Sequence, residues 1–175
     1  TEEDRLMVEH ARKLGIELTL QLSRLSFRDD FDGTNPNDVH KVLAVYDEAV
    51  EAGFRSFGIM FDDQTLQSVE AEMELTLAIY RRLEEQLGED FEFTVVPEVY
   101  WVPDELPGWP PQPERAEEFR LKHIDYLRKM GAALQGRVQI YIANNWNDYP
   151  EGYAEVQERE FNALARRKPI FFDNQ

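Results

Sequence analysis

Cysteine is absent from the 175-residue chain, which excludes disulfides, thiolate metal sites and cysteine nucleophiles. Basic residues are scarce, since 19 Lys and Arg stand against 35 Asp and Glu, for a net charge of -16. A protein of that charge repels phosphate backbones and anionic membrane surfaces, so nucleic acid is not an expected partner. No apolar run approaches the ~20 residues that cross a bilayer, so we expect no membrane insertion. These absences do not decide between a secreted and a cytoplasmic location.

Several common catalytic motifs are also missing. There is no glycine-rich phosphate loop and no Gly-x-Ser-x-Gly elbow, which disfavours nucleotide binding and serine catalysis. The three histidines, His10, His40 and His123, fall in predicted helices without the spacing of metal ligands. We therefore expect them to be ordinary helix residues.

Apolar residues follow two alternating periods along the chain. Short runs rich in β-branched and aromatic residues predict strands, and longer stretches with a spacing of three to four residues predict helices. The predicted strands, which all read as buried, cover 16–23, 54–61, 91–97, 137–143 and 168–174. The predicted helices cover 2–14, 37–52, 66–87, 114–131 and 152–166.

Local signals mark several helix ends. Gly15, Gly53 and Gly88 each follow a predicted helix where a left-handed cap is favoured. Asn35 before Pro36 predicts an N-cap with proline at the first helical position. The third helix carries one apolar stripe, which we expect to pack on a sheet: Leu66, Val69, Met73, Leu77, Tyr80, Leu83 and Leu87.

The alternation predicts an α/β fold with a mainly parallel sheet, either doubly wound or closed into a barrel. With 42% hydrophobic residues, the chain has enough apolar content for a single domain over 1–175. Both architectures place their sites at the carboxyl ends of strands. Polar or aromatic residues follow each predicted strand: Ser23 and Arg24, Asp62 and Asp63, Glu98 to Trp101, Asn144 to Asp148, and Asp173 and Asn174.

Asp62 and Asp63 stand at the end of a predicted strand, in the stretch "SFGIMFDDQ" (56–64). Side chains of a strand's last residue and the first loop residue are able to enter one pocket. Close carboxylates disfavour double ionisation, so one pKa rises and the pair supplies an acid and a base. The alternative is a helix cap with a favourable terminal charge. Paired acids also hold magnesium in receiver-like signalling domains, where a late Lys-Pro is similar to Lys168-Pro169, although here the intermediate strand lacks the required acid.

The segment "PEVYWVPDELPGWPPQPE" (97–114) interrupts the alternation with six prolines and two tryptophans. It predicts a long irregular loop, and loops of more than ~12 residues in compact domains are often functional. The segment is either a lid or substrate wall, or a proline-stiffened excursion on the surface.

Four stretches, in order, resemble the β-N-acetylglucosaminidase domain of glycoside hydrolase family 84, the O-GlcNAcase and bacterial hyaluronidase-like enzymes. "GFRSFGIMFDD" (53–63) is similar to the strand that carries the family's catalytic pair, and "VVPEVYW" (95–101) to its Cys-Pro-Thr-Glu-Tyr strand end. "VQIYIA" (138–143) stands where Ile-Gln-Ile-Met-Trp-Thr-Gly is usual, and "RKPIFFDN" (167–174) resembles its Lys-Pro-(apolar)-Trp-Asp-Asn strand.

The resemblance covers nearly the whole chain and implies the third to seventh strands of a (β/α)8 barrel. The chain would then be a partial TIM-type barrel of about five βα units. The family's first strand, with Gly-Phe-Tyr-Gly, and its second, with a substrate-binding Lys, would precede Thr1. The full-length chain would supply these missing barrel segments, because an open section of a barrel leaves two exposed edges.

The resemblance also implies roles for individual residues. By position, Asp62 matches the acid that orients and polarises the substrate's 2-acetamido group, and Asp63 matches the general acid and base. The sugar's acetamido oxygen would be the nucleophile in a retaining reaction on β-linked N-acetylglucosamine or N-acetylhexosamine. Tyr100, with Trp101 beside it, would support the acetamido pocket, and Asn174 would bind sugar hydroxyls. The implied partner is an N-acetylglucosamine-containing glycan or glycoprotein, and no metal or organic cofactor is implied.

The chain departs from the family pattern where Ile142, Ala143 and Asn144 replace Trp-Thr-Gly. Trp146 with Asn144 either offers an aromatic face and amides to a pyranose or anchors a polar loop, and the sequence favours neither. These departures leave a second interpretation open, a degenerate domain that binds carbohydrate or serves assembly without turnover. A magnesium-dependent receiver-like domain is the third.

Overall fold

The computed structural model describes residues 1–23, 31–61, 68–99, 116–134, 138–143 and 153–172. The predicted alternation of helices and strands is confirmed through these ranges. The helices are α1 (Glu2–Lys13), α2 (Pro36–Ala52), α3 (Val69–Leu87), α4 (Ala116–Ala133) and α5 (Tyr153–Ala165). The strands are β1 (Thr19–Ser23), β2 (Ser56–Met60), β3 (Glu92–Val96), β4 (Gln139–Ala143) and β5 (Ile170–Phe172). Every helix in these ranges is too short or too polar to span a bilayer.

The helix ends follow the predicted signals. The Asn35 side chain caps α2 by accepting a 2.9 Å hydrogen bond from the N–H two residues further on, and Pro36 is the first helical residue. Gly53 ends the same helix with φ of 100°, a left-handed conformation that residues with a side chain rarely adopt. Gly15 and Gly88 also have positive φ, but the Gly88 cap, with φ of 63° and ψ of -118°, is not the left-handed cap that was predicted.

The five strands form one parallel sheet in the order β1-β2-β3-β4-β5. Each strand pairs with the next one along the chain, and a helix provides the crossover that parallel pairing requires. A doubly wound sheet reverses its strand order at a switch point, and the described strands show no reversal. The order is compatible with a section of a barrel.

The centre of the core is built on β2 and β3. The apolar side chains of these two strands have at most 1% of their surface exposed at four positions: Phe57, Ile59, Phe93 and Val95. Gly58 lies between Phe57 and Ile59 in β2. A Cβ at this position would collide with the Thr94 hydroxyl of β3. A side chain at position 58 would therefore require the Thr94 side chain to move.

The prediction that all five strands are buried fails at Ile170 of β5, which is 38% exposed, and it is wrong for β1. Thr19 and Gln21 are exposed, and the other three residues of the strand are half-buried. Among the described strands β1 pairs only with β2, so no strand in these ranges covers its other edge. The apolar composition of a strand indicates that burial is favourable. It does not indicate whether a neighbouring strand is present to bury it.

The apolar stripe predicted for the third helix accounts for only part of its buried face. Met73, Tyr80 and Leu83 are buried, Val69, Leu77 and Leu87 are partly buried, and Leu66 lies outside the described residues. The buried arc is wider than the stripe because α3 contacts α2 and α4. It also contains Ala71, Glu72, Leu75, Thr76 and Ile79.

Candidate active site

Parallel pairing brings the carboxyl ends of the strands to one edge of the sheet. Ser23 lies opposite Met60, and Met60 lies opposite Val96, while Ala143 lies opposite Phe172. The segments that begin after residues 23, 61, 99, 143 and 172 therefore leave the sheet at this edge. Each site residue predicted from the sequence belongs to one of these segments.

The predicted site residues themselves lie outside the described residues. They are Asp62, Asp63, Tyr100, Trp101, Asn144, Trp146 and Asn174. Their assignment to the site therefore stays a prediction. The structure describes the residues that flank them, and these flanks fix where each segment begins.

The segment with Asp62 and Asp63 runs between two well-defined points. Phe61 is fully buried, and its N–H donates a 2.8 Å hydrogen bond to the carbonyl oxygen of Val96. Ser68 caps α3, where its hydroxyl accepts a 3.2 Å hydrogen bond from the third residue further on. The two acids thus directly follow a residue that is held in the core of the sheet.

The chain after β3 is held as far as Val99. Pro97 and Val99 are buried, and the N–H of Glu98 donates a 3.0 Å hydrogen bond to the hydroxyl of Tyr126 on α4. Pro97 and Val99, at the start of the proline-rich segment, are therefore packed inside the protein, and Glu98 between them is half-buried. Residues 100–114 lie outside the described ranges, so the choice between a lid and a surface excursion stays open.

A buried carboxyl group lies beside this strand end. Glu72, in the first turn of α3, has 0% of its surface exposed, and its Oε2 accepts a 2.5 Å hydrogen bond from the Tyr126 hydroxyl. Its Oε1 has no hydrogen-bond partner among the described residues. Loss of solvation raises the pKa of Glu72 to about 8; the Tyr126 hydrogen bond opposes this and the charge of Glu98 adds to it. Glu72 is therefore mostly protonated at neutral pH.

Neither Glu72 nor Tyr126 was predicted from the sequence as a candidate site residue. An acid in the first turn of a helix is ordinarily explained by the helix dipole. A signal was present in the spacing, since Glu72 stands four and seven residues before Thr76 and Ile79, on the fully buried side of the helix. A carboxyl group in register with an apolar face is the pattern that marks such a residue.

The histidines lie on helices, as predicted. His10 and His40 are exposed on α1 and α2, and His123 is partly buried on α4, where loss of solvation lowers its pKa. In the part of the chain that the structure describes, no group of three or more His, Cys, Asp or Glu side chains is placed to hold a metal ion.

The chain matches the model of a known family over almost its whole length. No curated protein matches it. The model of the NAGidase family, described as beta-N-acetylglucosaminidase, matches residues 2–175, a range that includes all five strands and every predicted site residue. The match supports a glycoside hydrolase that acts on N-acetylglucosamine. The chain belongs to the NAGidase family.

Proposed function

We propose that this chain carries the catalytic centre of a retaining, substrate-assisted β-N-acetylglucosaminidase of the glycoside hydrolase family 84 type. One observation carries the proposal: the buried, hydrogen-bonded strand end at Phe61 leads directly into Asp62 and Asp63 at the carboxyl edge of a parallel sheet. Family membership supports the substrate class, a glycoside of N-acetylglucosamine. The substrate is a glycan or glycoprotein that carries this sugar.

The two acids have unequal roles in the proposed reaction. The carbonyl oxygen of the 2-acetamido group attacks C1 while the glycosidic C–O bond breaks, and Asp63 gives its proton to the departing oxygen. Asp62 orients the acetamido group and stabilises the positive charge that develops on it. Asp63, now a carboxylate, then takes a proton from water as the water oxygen attacks C1 and restores the acetamido group. Two displacements at C1 retain the β configuration.

The remaining predicted residues form the walls of the proposed pocket. Tyr100 follows the buried Val99 and supports the acetamido group, with Trp101 beside it. Asn174 follows β5 and binds sugar hydroxyls. Trp146 and Asn144 follow β4 and offer a ring face and an amide to the pyranose.

The proposed architecture is a single domain that forms part of a (β/α)8 barrel. The sequential parallel order of the five strands supports it, because neighbouring strands of such a barrel are consecutive in the chain. The half-exposed β1 supports it too, since a further barrel strand would cover that edge. The full-length chain supplies the remaining strands.

Hydrolysis of an aryl β-N-acetylglucosaminide by the full-length protein tests the proposal. We expect hydrolysis with retention of configuration, and we expect Asp63→Asn to lower kcat about 10²- to 10⁴-fold while affinity for N-acetylglucosamine is kept. Asp90→Asn is the matched control, because Asp90 is exposed and precedes β3 at the opposite edge of the sheet. Its activity should equal that of the wild type.

Either of two outcomes would contradict the proposal and support a different function. Absence of turnover, with unchanged sugar affinity in Asp63→Asn, would indicate a domain that binds carbohydrate without hydrolysing it. Tight magnesium binding that requires both acids, measured by calorimetry, would indicate a receiver-like domain instead.

A further inference from the structure

A chain of three polar groups joins α3, α4 and the residues after β3. Tyr126 of α4 is 7% exposed, and its hydroxyl contacts Glu72 Oε2 at 2.5 Å and the N–H of Glu98 at 3.0 Å. The charge of the Glu98 side chain also raises the pKa of Glu72. No part of the predicted catalytic chemistry uses Glu72 or Tyr126.

The direction of these hydrogen bonds is fixed by the number of protons. The main-chain N–H of Glu98 is a donor, so the Tyr126 oxygen accepts there and its single proton goes to Glu72. The cluster thus holds Glu98 through its main-chain N–H.

The cluster links the two segments that matter most for the proposed reaction. Glu72 lies in the first turn of α3, directly after the segment that contains Asp62 and Asp63. Glu98 stands two residues before Tyr100. Burying a carboxyl group costs stability that an apolar side chain of the same size would not, unless hydrogen bonds offset it. Here the hydrogen bonds run to Tyr126 and to the strand end that leads to Tyr100.

We propose that Glu72 and Tyr126 are positioning residues for substrate binding, which fix, through the Glu98 amide, the point from which Tyr100 meets the 2-acetamido group. The inference rests on the proposed function, because the role of Tyr100 does. Neither residue touches the substrate. Their effect is on the placement of a group that does.

Paired tyrosine variants of the full-length protein test this proposal. Tyr126→Phe keeps the ring and removes the hydroxyl. Tyr46→Phe is the matched control, because it removes another buried hydroxyl that donates to the main chain, at Gly58 within β2. At a temperature where denaturation curves show both variants folded, we expect Tyr126→Phe to lower kcat/KM at least about tenfold and Tyr46→Phe less than about twofold.

Variants of Glu72 separate hydrogen bonding from packing. Glu72→Gln keeps an acceptor for the Tyr126 hydroxyl, so we expect kcat/KM close to that of the wild type. Glu72→Met fills similar volume without this bond, so we expect the loss seen with Tyr126→Phe. Equal kcat/KM in Tyr126→Phe and Tyr46→Phe, or full activity in Glu72→Met, would overturn the proposal.

Inhibition by free sugars gives a readout that general damage to the fold would not produce. In Tyr126→Phe the inhibition constant of N-acetylglucosamine should rise by the same factor as kcat/KM falls. That of glucosamine, which lacks the acetyl group, should stay unchanged. An equal rise for both sugars would overturn a specific role at the acetamido pocket.

The wild-type protein separates failure of this inference from failure of the proposed function. If the wild type hydrolyses the substrate and the tyrosine variants do not differ, only the positioning role is wrong. If the wild type neither hydrolyses the substrate nor binds N-acetylglucosamine, the proposed function is wrong and the positioning role falls with it.

Discussion

The hydroxyl of Tyr46 donates a 2.8 Å hydrogen bond to the carbonyl oxygen of Gly58, in the middle of β2. Tyr46 lies on α2, its side chain has 0% of its surface exposed, and loss of solvation raises the pKa of its phenol. The bond holds α2 against the middle of β2. A helix and a strand that pack mainly through apolar contacts thus share one polar contact of fixed geometry.

We expect Tyr46→Phe to lower the free energy of unfolding by about 1–2 kcal/mol, because the Gly58 carbonyl loses a partner where water does not reach. Urea denaturation followed by circular dichroism measures the change. Tyr80→Phe is a control, since the Tyr80 hydroxyl makes a longer 3.3 Å contact with Glu84 near the surface. A midpoint unchanged from that of the wild type in Tyr46→Phe would show that the bond contributes nothing.

Close packing of α4 on α5 depends on Gly131. A Cβ at this position would collide with the main chain of Ala165, at the end of α5. We expect Gly131→Ala to lower the free energy of unfolding by about 1–2 kcal/mol, because the two helices must separate. Thermal unfolding by calorimetry measures the loss.

The control for Gly131→Ala comes from its neighbour in the helix. Ala132 is exposed, so Ala132→Gly should cost only the difference in helix propensity, about 1 kcal/mol. Helix propensity also favours alanine over glycine at position 131, so propensity alone predicts a gain in stability for Gly131→Ala. The loss of stability that we expect is in the opposite direction. A gain in stability in Gly131→Ala would mean that the helices adjust to the added methyl group without cost.

Burial of Glu72 makes stability depend on pH. Its pKa is raised from 4.5 to about 8 in the folded chain, so the folded state binds more protons than the unfolded state between these values. The stabilisation is complete below pH 4.5 and is lost as the pH rises towards 8, by an amount of the order of a few kcal/mol. We expect the free energy of unfolding, measured in urea at pH 5, 7 and 9, to fall along this series.

Glu72→Gln isolates this effect from other groups that titrate in the same range. His123 acts in the opposite direction, since burial lowers its pKa and its contribution is lost as the pH falls. The difference between the wild type and Glu72→Gln cancels such contributions. We expect the variant to be the more stable protein at pH 9, and parallel curves for the two proteins would contradict a buried, neutral Glu72.

The unequal roles proposed for Asp62 and Asp63 predict different responses to the leaving group. A general acid matters most when the departing oxygen is strongly basic, so Asp63→Asn should impair an alkyl glycoside more than a nitrophenyl glycoside. Asp62→Asn should impair both by a similar factor, because its role concerns the acetamido group. Single-turnover rates with the two substrates measure this, and matching ratios in both variants would contradict the assignment.

The order of helices and strands was predictable because the two periods of apolar residues are distinct and glycine marks several helix ends. Gly53 illustrates this, since a positive φ at a helix end is a local property that the sequence encodes. The family match supports the coarser part of what the resemblance in "GFRSFGIMFDD" (53–63) implies, a glycoside hydrolase that acts on N-acetylglucosamine.

Burial set by distant parts of the chain was not predictable in the same way. Glu72 is separated from Tyr126 by 54 residues, and its environment exists only once α3, α4 and the end of β3 have packed together. The exposure of β1 has a similar origin, because it depends on which strand lies beside it. Neither property is contained in a local window of sequence.

The burial gradient across the sheet sets an order for amide hydrogen exchange. Main-chain amides of β2, β3 and β4 lie between neighbours on both sides, whereas β1 and β5 each have one neighbour among the described strands. Opening should therefore begin at β1 and β5 and reach Phe57 and Ile59 only in the largest fluctuations. Asp62 and Asp63 follow the end of β2, so they would be attached to one of the slowest-exchanging strands. Opening of the outer strands would then leave the strand end that carries the proposed catalytic pair in place.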